Sequence, residues 1–178
     1  MDSYFLALSI PKQIQNEIVS LCFGLPDVSW IEQENFHVLI RPLGKMADAL
    51  IYEVEDRLES IESAPFNIRL AGFEYSLSKG GHGSISLKIQ PAESMNSLKR
   101  AVDQCLKGLH VENGGSHFAP HVPLGFYEHM NAHRLGDYLA SQVMFESSPF
   151  TVDSFALYSR QNTPKRVLYH SVKDFELK

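Results

Sequence analysis

A short pattern occurs twice in this chain, and its recurrence narrows the fold more than any other feature. Asn35-Phe36-His37-Val38 returns as Ala119-Pro120-His121-Val122. Each copy belongs to an apolar, strand-like stretch that follows a turn, Phe36 to Arg41 in the first case and His117 to Phe126 in the second. An internal duplication about a pseudo-two-fold axis would lay these strands side by side, each carrying one histidine.

The rest of the chain supplies the layers such a pair needs. Strand patterns run over Tyr4 to Ile10, Phe66 to about Phe73 with Tyr75 to Ser78 as a continuation, Ile85 to Ile89, Phe150 to Tyr158 and Val167 to Leu177. Helical stripes follow Pro11 (Ile14, Ile18, Leu21, Cys22), Met46 (Ala47, Leu50, Ile51, Val54, Leu58, Ile61) and Pro91 (Met95, Leu98, Val102, Cys105, Leu106, Leu109). A fourth helix is expected from Asn131 to Val143. Turns such as Gly80-Gly81 and Asn113-Gly114-Gly115 are too short for parallel crossovers. The mixture predicts an α+β fold with antiparallel sheet rather than a doubly wound parallel one. No low-complexity stretch or linker divides the 178 residues, so residues 1–178 are expected to form a single domain, with either one sizeable core or two small intertwined lobes. A polar loop is expected from Ser159 to Pro164, between the last two strands.

Charge and cysteine usage exclude several classes. A formal net charge of −5 argues against a protein that coats long nucleic acid, which needs many cations to displace counterions. It leaves room for a local pocket holding one phosphate. Cys22 and Cys105 sit in helical patterns without Cys-x-x-Cys spacing, the pattern of reduced, buried thiols. The first residues lack a basic leader, and Pro11 cuts the apolar run short. A cytoplasmic monomer with no membrane segment is the expectation.

Two imidazoles across one cleft suit phosphodiester hydrolysis. One takes a proton from the attacking water while the other gives one to the leaving oxygen, and a histidine pKa near neutrality permits both roles. Neither metal nor cofactor is then needed. A zinc site is the competing use of histidine, since His117 and His121, and His129 and His133, are each four apart. On a strand that spacing separates the rings by about 13 Å, and no His-Glu-x-x-His is present. Gly-x-Ser-x-Gly is absent, and Gly80-Gly81-His82-Gly83 lacks the lysine and helix of a phosphate loop.

At this point the residues resemble a known family. Trp30-Ile31-Glu32-Gln33-Glu34-Asn35-Phe36-His37-Val38-Leu39 with Leu43-Gly44, and Phe118-Ala119-Pro120-His121-Val122-Pro123-Leu124, look like the two motif regions of the two-histidine ("2H") phosphoesterases, of the bacterial RNA 2',3'-cyclic phosphodiesterase (2'-5' RNA ligase, LigT-like) type. Tyr4 to Leu8 with Pro11, and Leu157-Tyr158-Ser159 with Pro164, also match, so the resemblance runs nearly end to end. It implies a single bilobal α+β domain, with two antiparallel sheets lining a central cleft and helices outside. It implies hydrolysis of a 2',3'-cyclic phosphate on an RNA end or nucleotide to a 2'-phosphate, and in some relatives the reverse ligation. His37 would be the general acid on O3' and His121 the base for water.

The family motif is His-x-Thr/Ser-x, and both hydroxyl positions depart from it, as Leu39 and Pro123. Neither side chain can donate to a phosphate oxygen, and removing one such donor typically costs about a hundredfold in rate. An arginine that many relatives carry five residues after the second histidine is Phe126 here. Regular alternation would put Arg41 on the face of His37, within reach of phosphate. Lys165 and Arg166 offer a second cationic candidate, and Phe126 and Tyr127 could stack a base. The alternative function is a weak or inactive relative that binds a nucleotide or RNA end.

Overall fold

The computed structural model describes residues 2–178. Nine strands and four α-helices form among them, in the order β1 (Ser3–Ser9), α1 (Lys12–Val19), β2 (Ser29–Trp30), β3 (His37–Lys45), α2 (Asp48–Leu58), β4 (Phe66–Leu77), β5 (Gly83–Gln90), α3 (Ala92–Cys105), β6 (Val122–Tyr127), α4 (Ala132–Ser141), β7 (Phe150–Val152), β8 (Ser154–Asn162) and β9 (Val167–Glu176). A 3-10 turn, Gln33–Asn35, precedes β3. The strands make two sheets, one of order β3-β1-β8-β9 and one of order β2-β6-β5-β4-β7, and every pairing between named strands is antiparallel. This is the expected α+β architecture.

The helices bury part of the stripes that the sequence marks; Ala47 is an exposed N-cap, and Leu21, Cys22, Ile61, Leu106 and Leu109 lie at or past the helix ends. Ile14 and Ile18 of α1, Val54 and Leu58 of α2, and Met95, Leu98 and Val102 of α3 all enter one apolar core that also takes side chains from both sheets. α4 is capped by Asn131, whose side chain accepts from the backbone N–H groups of His133 and Arg134. A second, smaller cluster lies on the other face of the four-stranded sheet. Phe5, Ala7, Ala156 and Tyr158 form it, with Leu39 and Tyr169 at its edge. β1 is therefore buried on both faces, which is why Phe5 to Leu8 reads as a continuous apolar run.

Several boundaries differ from the sequence expectation. Phe150 to Tyr158 is two strands, because the chain leaves the five-stranded sheet at Val152 and joins the four-stranded one at Ser154. β8 then continues through Ser159 to Asn162 as a hairpin with β9, so the expected loop shrinks to the turn around Pro164. His117 to Pro120 is turn and coil rather than strand, and β6 starts just after His121.

The two sheets meet at the repeated motifs. Leu39 and His121 form an isolated antiparallel bridge, with Leu39 N–H donating to His121 O at 2.8 Å and His121 N–H to Leu39 O at 3.3 Å. The duplication thus has a structural counterpart, a short pairing of the two motif segments that joins the lobes.

Candidate functional site

The bridge decides where the two histidines point. Residues directly opposite on antiparallel strands share a face, so His121 lies on the face of Leu39. His37 is two residues before Leu39 in a regular stretch of β3 and shares that face too. A diagonal arrangement of this kind sets Cα atoms about 7–8 Å apart.

Both imidazoles are held in the same way. His37 Nδ1 lies 3.0 Å from Asn35 O, and His121 Nδ1 lies 2.7 Å from Ala119 O, the carbonyl two residues back in each copy. A carbonyl oxygen can only accept, so Nδ1 carries the proton in both rings. In the neutral ring Nε2 then carries the lone pair.

Their surroundings differ. His37 is half-buried in an aromatic cage, with ring centroids at 4.6 Å from Tyr158, 5.7 Å from Tyr169 and 6.3 Å from Phe5, all edge-on. Burial pushes its pKa below the ordinary histidine value, partly offset by the Asn35 carbonyl. His121 is partly exposed, and the ring of Phe118 lies 5.3 Å away.

A cleft of about 490 Å³ opens beside His37; His121 is not among its lining residues, while its bridge partner Leu39 and its neighbour Pro123 are. His37, Leu39, Pro42, Phe5, Tyr169 and Arg160 line it from the four-stranded lobe, and Trp30, Glu32, Pro123 and Phe126 from the other side. Leu39 and Pro123, at the hydroxyl positions of the family motif, sit on its wall, as does Phe126, whose side chain is more than half exposed. Among the described residues, no cluster of three or more His, Cys, Asp and Glu side chains is disposed to hold a metal ion.

Arg41 departs from its expected place. Leu6 pairs with Arg41 and Ala7 with Leu39, leaving Ile40 as an extra residue, a β-bulge. The bulge reverses parity. Val38 and Ile40 face the core, Arg41 follows them inward, and Pro42 takes the cleft position. Arg41 is only 5% exposed, its Nη1 at 2.8 Å from Asp103 and its Nε donating to Glu112 O at 3.2 Å. It braces the loop between α3 and His121 and is not among the residues lining the cleft.

The second motif carries the same irregularity. Ile85 pairs with Gly125 and Ser86 with Pro123, so Leu124 is the extra residue there. Ile40 and Leu124 each stand three positions after their histidine, and both are fully buried. The duplication therefore extends to a matched bulge, which brings Phe126 back to the cleft and turns Tyr127 into the core. There the Tyr127 hydroxyl donates to the Ser76 and Ser84 carbonyls, so only Phe126 of that pair remains available to a ligand.

Gly44, after the first motif, has φ +74° and lies against the Glu112 carboxyl group, which a Cβ would meet at 2.7 Å. A Leu-Gly pair at this point lets the loop residue Glu112 close over β3. Arg166 reaches Glu34 at 3.7 Å rather than joining Lys165 in an anion site. The aromatic cage was not visible in the sequence as a site. Tyr158 and Tyr169 are remote from His37 in the chain, and only strand pairing brings them together.

A family model described as the 2'-5' RNA ligase superfamily matches residues 29–164. Two archaeal proteins named RNA 2',3'-cyclic phosphodiesterase align with nearly the whole chain. That of Archaeoglobus fulgidus is 22% identical, with 97% of this chain and 98% of the relative covered. That of Methanocaldococcus jannaschii is 20% identical, with 96% and 98% covered. Among solved structures, Escherichia coli LigT complexed with 3'-AMP superimposes with a TM-score of 0.81 at 17% identity, over 99% of this chain and 98% of that one. A structure described as a phosphoesterase gives 0.82 at 16% identity, over 99% and 98%.

Proposed function

The chain belongs to the 2'-5' RNA ligase superfamily, and on that premise we propose that it is a metal-independent cyclic phosphodiesterase. It opens a 2',3'-cyclic phosphate on an RNA end or nucleotide to a 2'-phosphate, with reverse 2'-5' ligation as the microscopic reverse. The observation that carries this reading is the matched setting of His37 and His121, each with Nδ1–H tied to the carbonyl two residues back. In the proposed step, His121 Nε2 takes a proton from water as its oxygen bonds to phosphorus. The P–O3' bond breaks, and protonated His37 delivers its Nε2 proton to O3'. The product keeps its phosphate on O2'.

Three rings, Phe5, Tyr158 and Tyr169, enclose the His37 imidazole and restrict water around it. Burial disfavours the imidazolium in the free protein, and an anionic phosphate beside it would restore the proton. Phe126 supplies an exposed ring for a nucleobase at the cleft edge.

Leu39 and Pro123 favour a second reading, a nucleotide- or RNA-end-binding relative that turns over slowly or not at all. The two separate in one experiment. Turnover of a nucleoside 2',3'-cyclic phosphate and of a short RNA with a cyclic end is followed in EDTA, for wild type, His37→Ala and His121→Ala. Release of a 2'-phosphate product that both substitutions abolish supports the enzyme. No wild-type turnover above the background of the two variants leaves the binding protein.

A further inference from the structure

Arg160 stands out among the arginines. Arg41, Arg57, Arg69, Arg134 and Arg166 each pair with a carboxylate, and Arg100 donates to Ser97. Among the described residues, Arg160 is the one arginine whose side chain has neither an ion pair nor a hydrogen bond within the chain, yet it lines the cleft. Among the described residues it is also the only lysine or arginine in that lining, which includes the two carboxylates Glu32 and Glu112.

Its position relative to His37 follows from the sheet. Arg160 is two residues along β8 from Tyr158 on the same face, about 7 Å of strand. The Tyr158 ring is itself 4.6 Å from the His37 imidazole. Arg160 is paired in register with Ser3 on one side and Tyr169 on the other, and both line the cleft. The Arg160 charge acts on the Tyr169 phenol, opposing the rise that burial causes there. A guanidinium thus stands one same-face step beyond the aromatic cage, with hydroxyls on both sides.

We propose that Arg160 holds the 5'-phosphate of the terminal nucleotide, so that the cleft selects an RNA end over a free nucleoside cyclic phosphate. This rests on the proposed placement of the cyclic phosphate at His37 and His121. The ribose then bridges the two sites. Its 2',3' edge faces the histidines, and its 5'-oxygen leads toward Arg160, whose planar donors match a phosphodiester. A free guanidinium is a second anchor for an anion in a cleft whose motif positions, Leu39 and Pro123, offer no hydroxyl to the first.

The test reads binding, so it does not depend on turnover. Adenosine 2'-monophosphate and adenosine 2',5'-bisphosphate are titrated into the full chain by calorimetry. The comparison is made for wild type, Arg160→Ala and Arg160→Lys. The added 5'-phosphate is expected to tighten wild-type binding about tenfold at low salt. In Arg160→Ala that gain collapses to within about twofold, and Arg160→Lys keeps part of it. No gain in wild type, or a gain that survives Arg160→Ala, overturns the assignment. Loss of turnover in the EDTA assay alongside an Arg160-dependent gain would instead remove the hydrolytic reading and leave this one standing.

Discussion

The Arg41 brace allows a quantitative test of how the second motif is held. Replacing Asp103 by Ala leaves a guanidinium that is 5% exposed with only the Glu112 carbonyl for company. Breaking a fully buried pair in this way costs about 3–5 kcal/mol. Asp103 is 37% exposed, so water reaches the vacated side, and we expect about 2 kcal/mol. For a chain of 178 residues that is a fall in Tm of about 4–8 °C.

The double variant is the sharper measurement. Arg41→Met removes the charge and keeps much of the buried stem volume, while Asp103 retains Lys99 at 2.5 Å. With no orphaned cation, Arg41→Met/Asp103→Ala is expected to be more stable than Asp103→Ala alone. Urea unfolding of the three variants and wild type gives the coupling energy directly. If the two single costs simply add, Arg41 and Asp103 are independent and the brace does not exist. Because the braced loop leads into His121, turnover in Asp103→Ala should fall at temperatures well below its Tm.

Four other outcomes are expected. His37 has a folded-state pKa below its unfolded value of about 6.5, so the unfolded chain binds more protons in that window and stability declines as pH falls through it; His37→Gln should flatten that slope in Tm against pH, and an unchanged slope would contradict the burial argument. In His121→Ala, any residual turnover should fall as pH rises, because His37 must keep its proton, whereas in His37→Ala it should rise; reversed limbs would exchange the acid and base roles. Phe126→Ala should raise KM about fivefold or more with little change in kcat if a base stacks there, and equal KM values would place Phe126 outside the binding path. Leu39→Thr should increase kcat, by up to about a hundredfold if its hydroxyl reaches the phosphate, and an unaltered rate would show that this position no longer faces the transferred oxygen.

How much of this was legible in the sequence depended on whether the signal was local. The α-helical stripes, the turns and the two histidine motifs are written in contiguous residues, and the architecture follows from them. Arg41 shows where that reading stops. Strict alternation puts residue 41 with residue 37, and the assignment is sound for a flat ladder. The strand instead inserts Ile40, whose burial is complete. Two apolar residues flanking one position, as in Val38-Leu39-Ile40, do not reveal whether the next side chain continues the alternation or yields to a bulge. That choice is made by packing across the sheet. The recurrence of the bulge at Leu124 supplies the missing constraint, because a duplicated motif must satisfy the same geometry twice. With Arg41 turned inward, charge in the cleft has to come from elsewhere in the chain. The cleft's sole arginine, Arg160, lies on a strand that enters only through long-range pairing with β1. Leu39 and Pro123 leave the cleft wall without a hydroxyl at the two motif positions. If Arg160 holds the 5'-phosphate as proposed, cationic recognition comes from β8, two strands away from β3 in the same sheet, rather than from the motif strands.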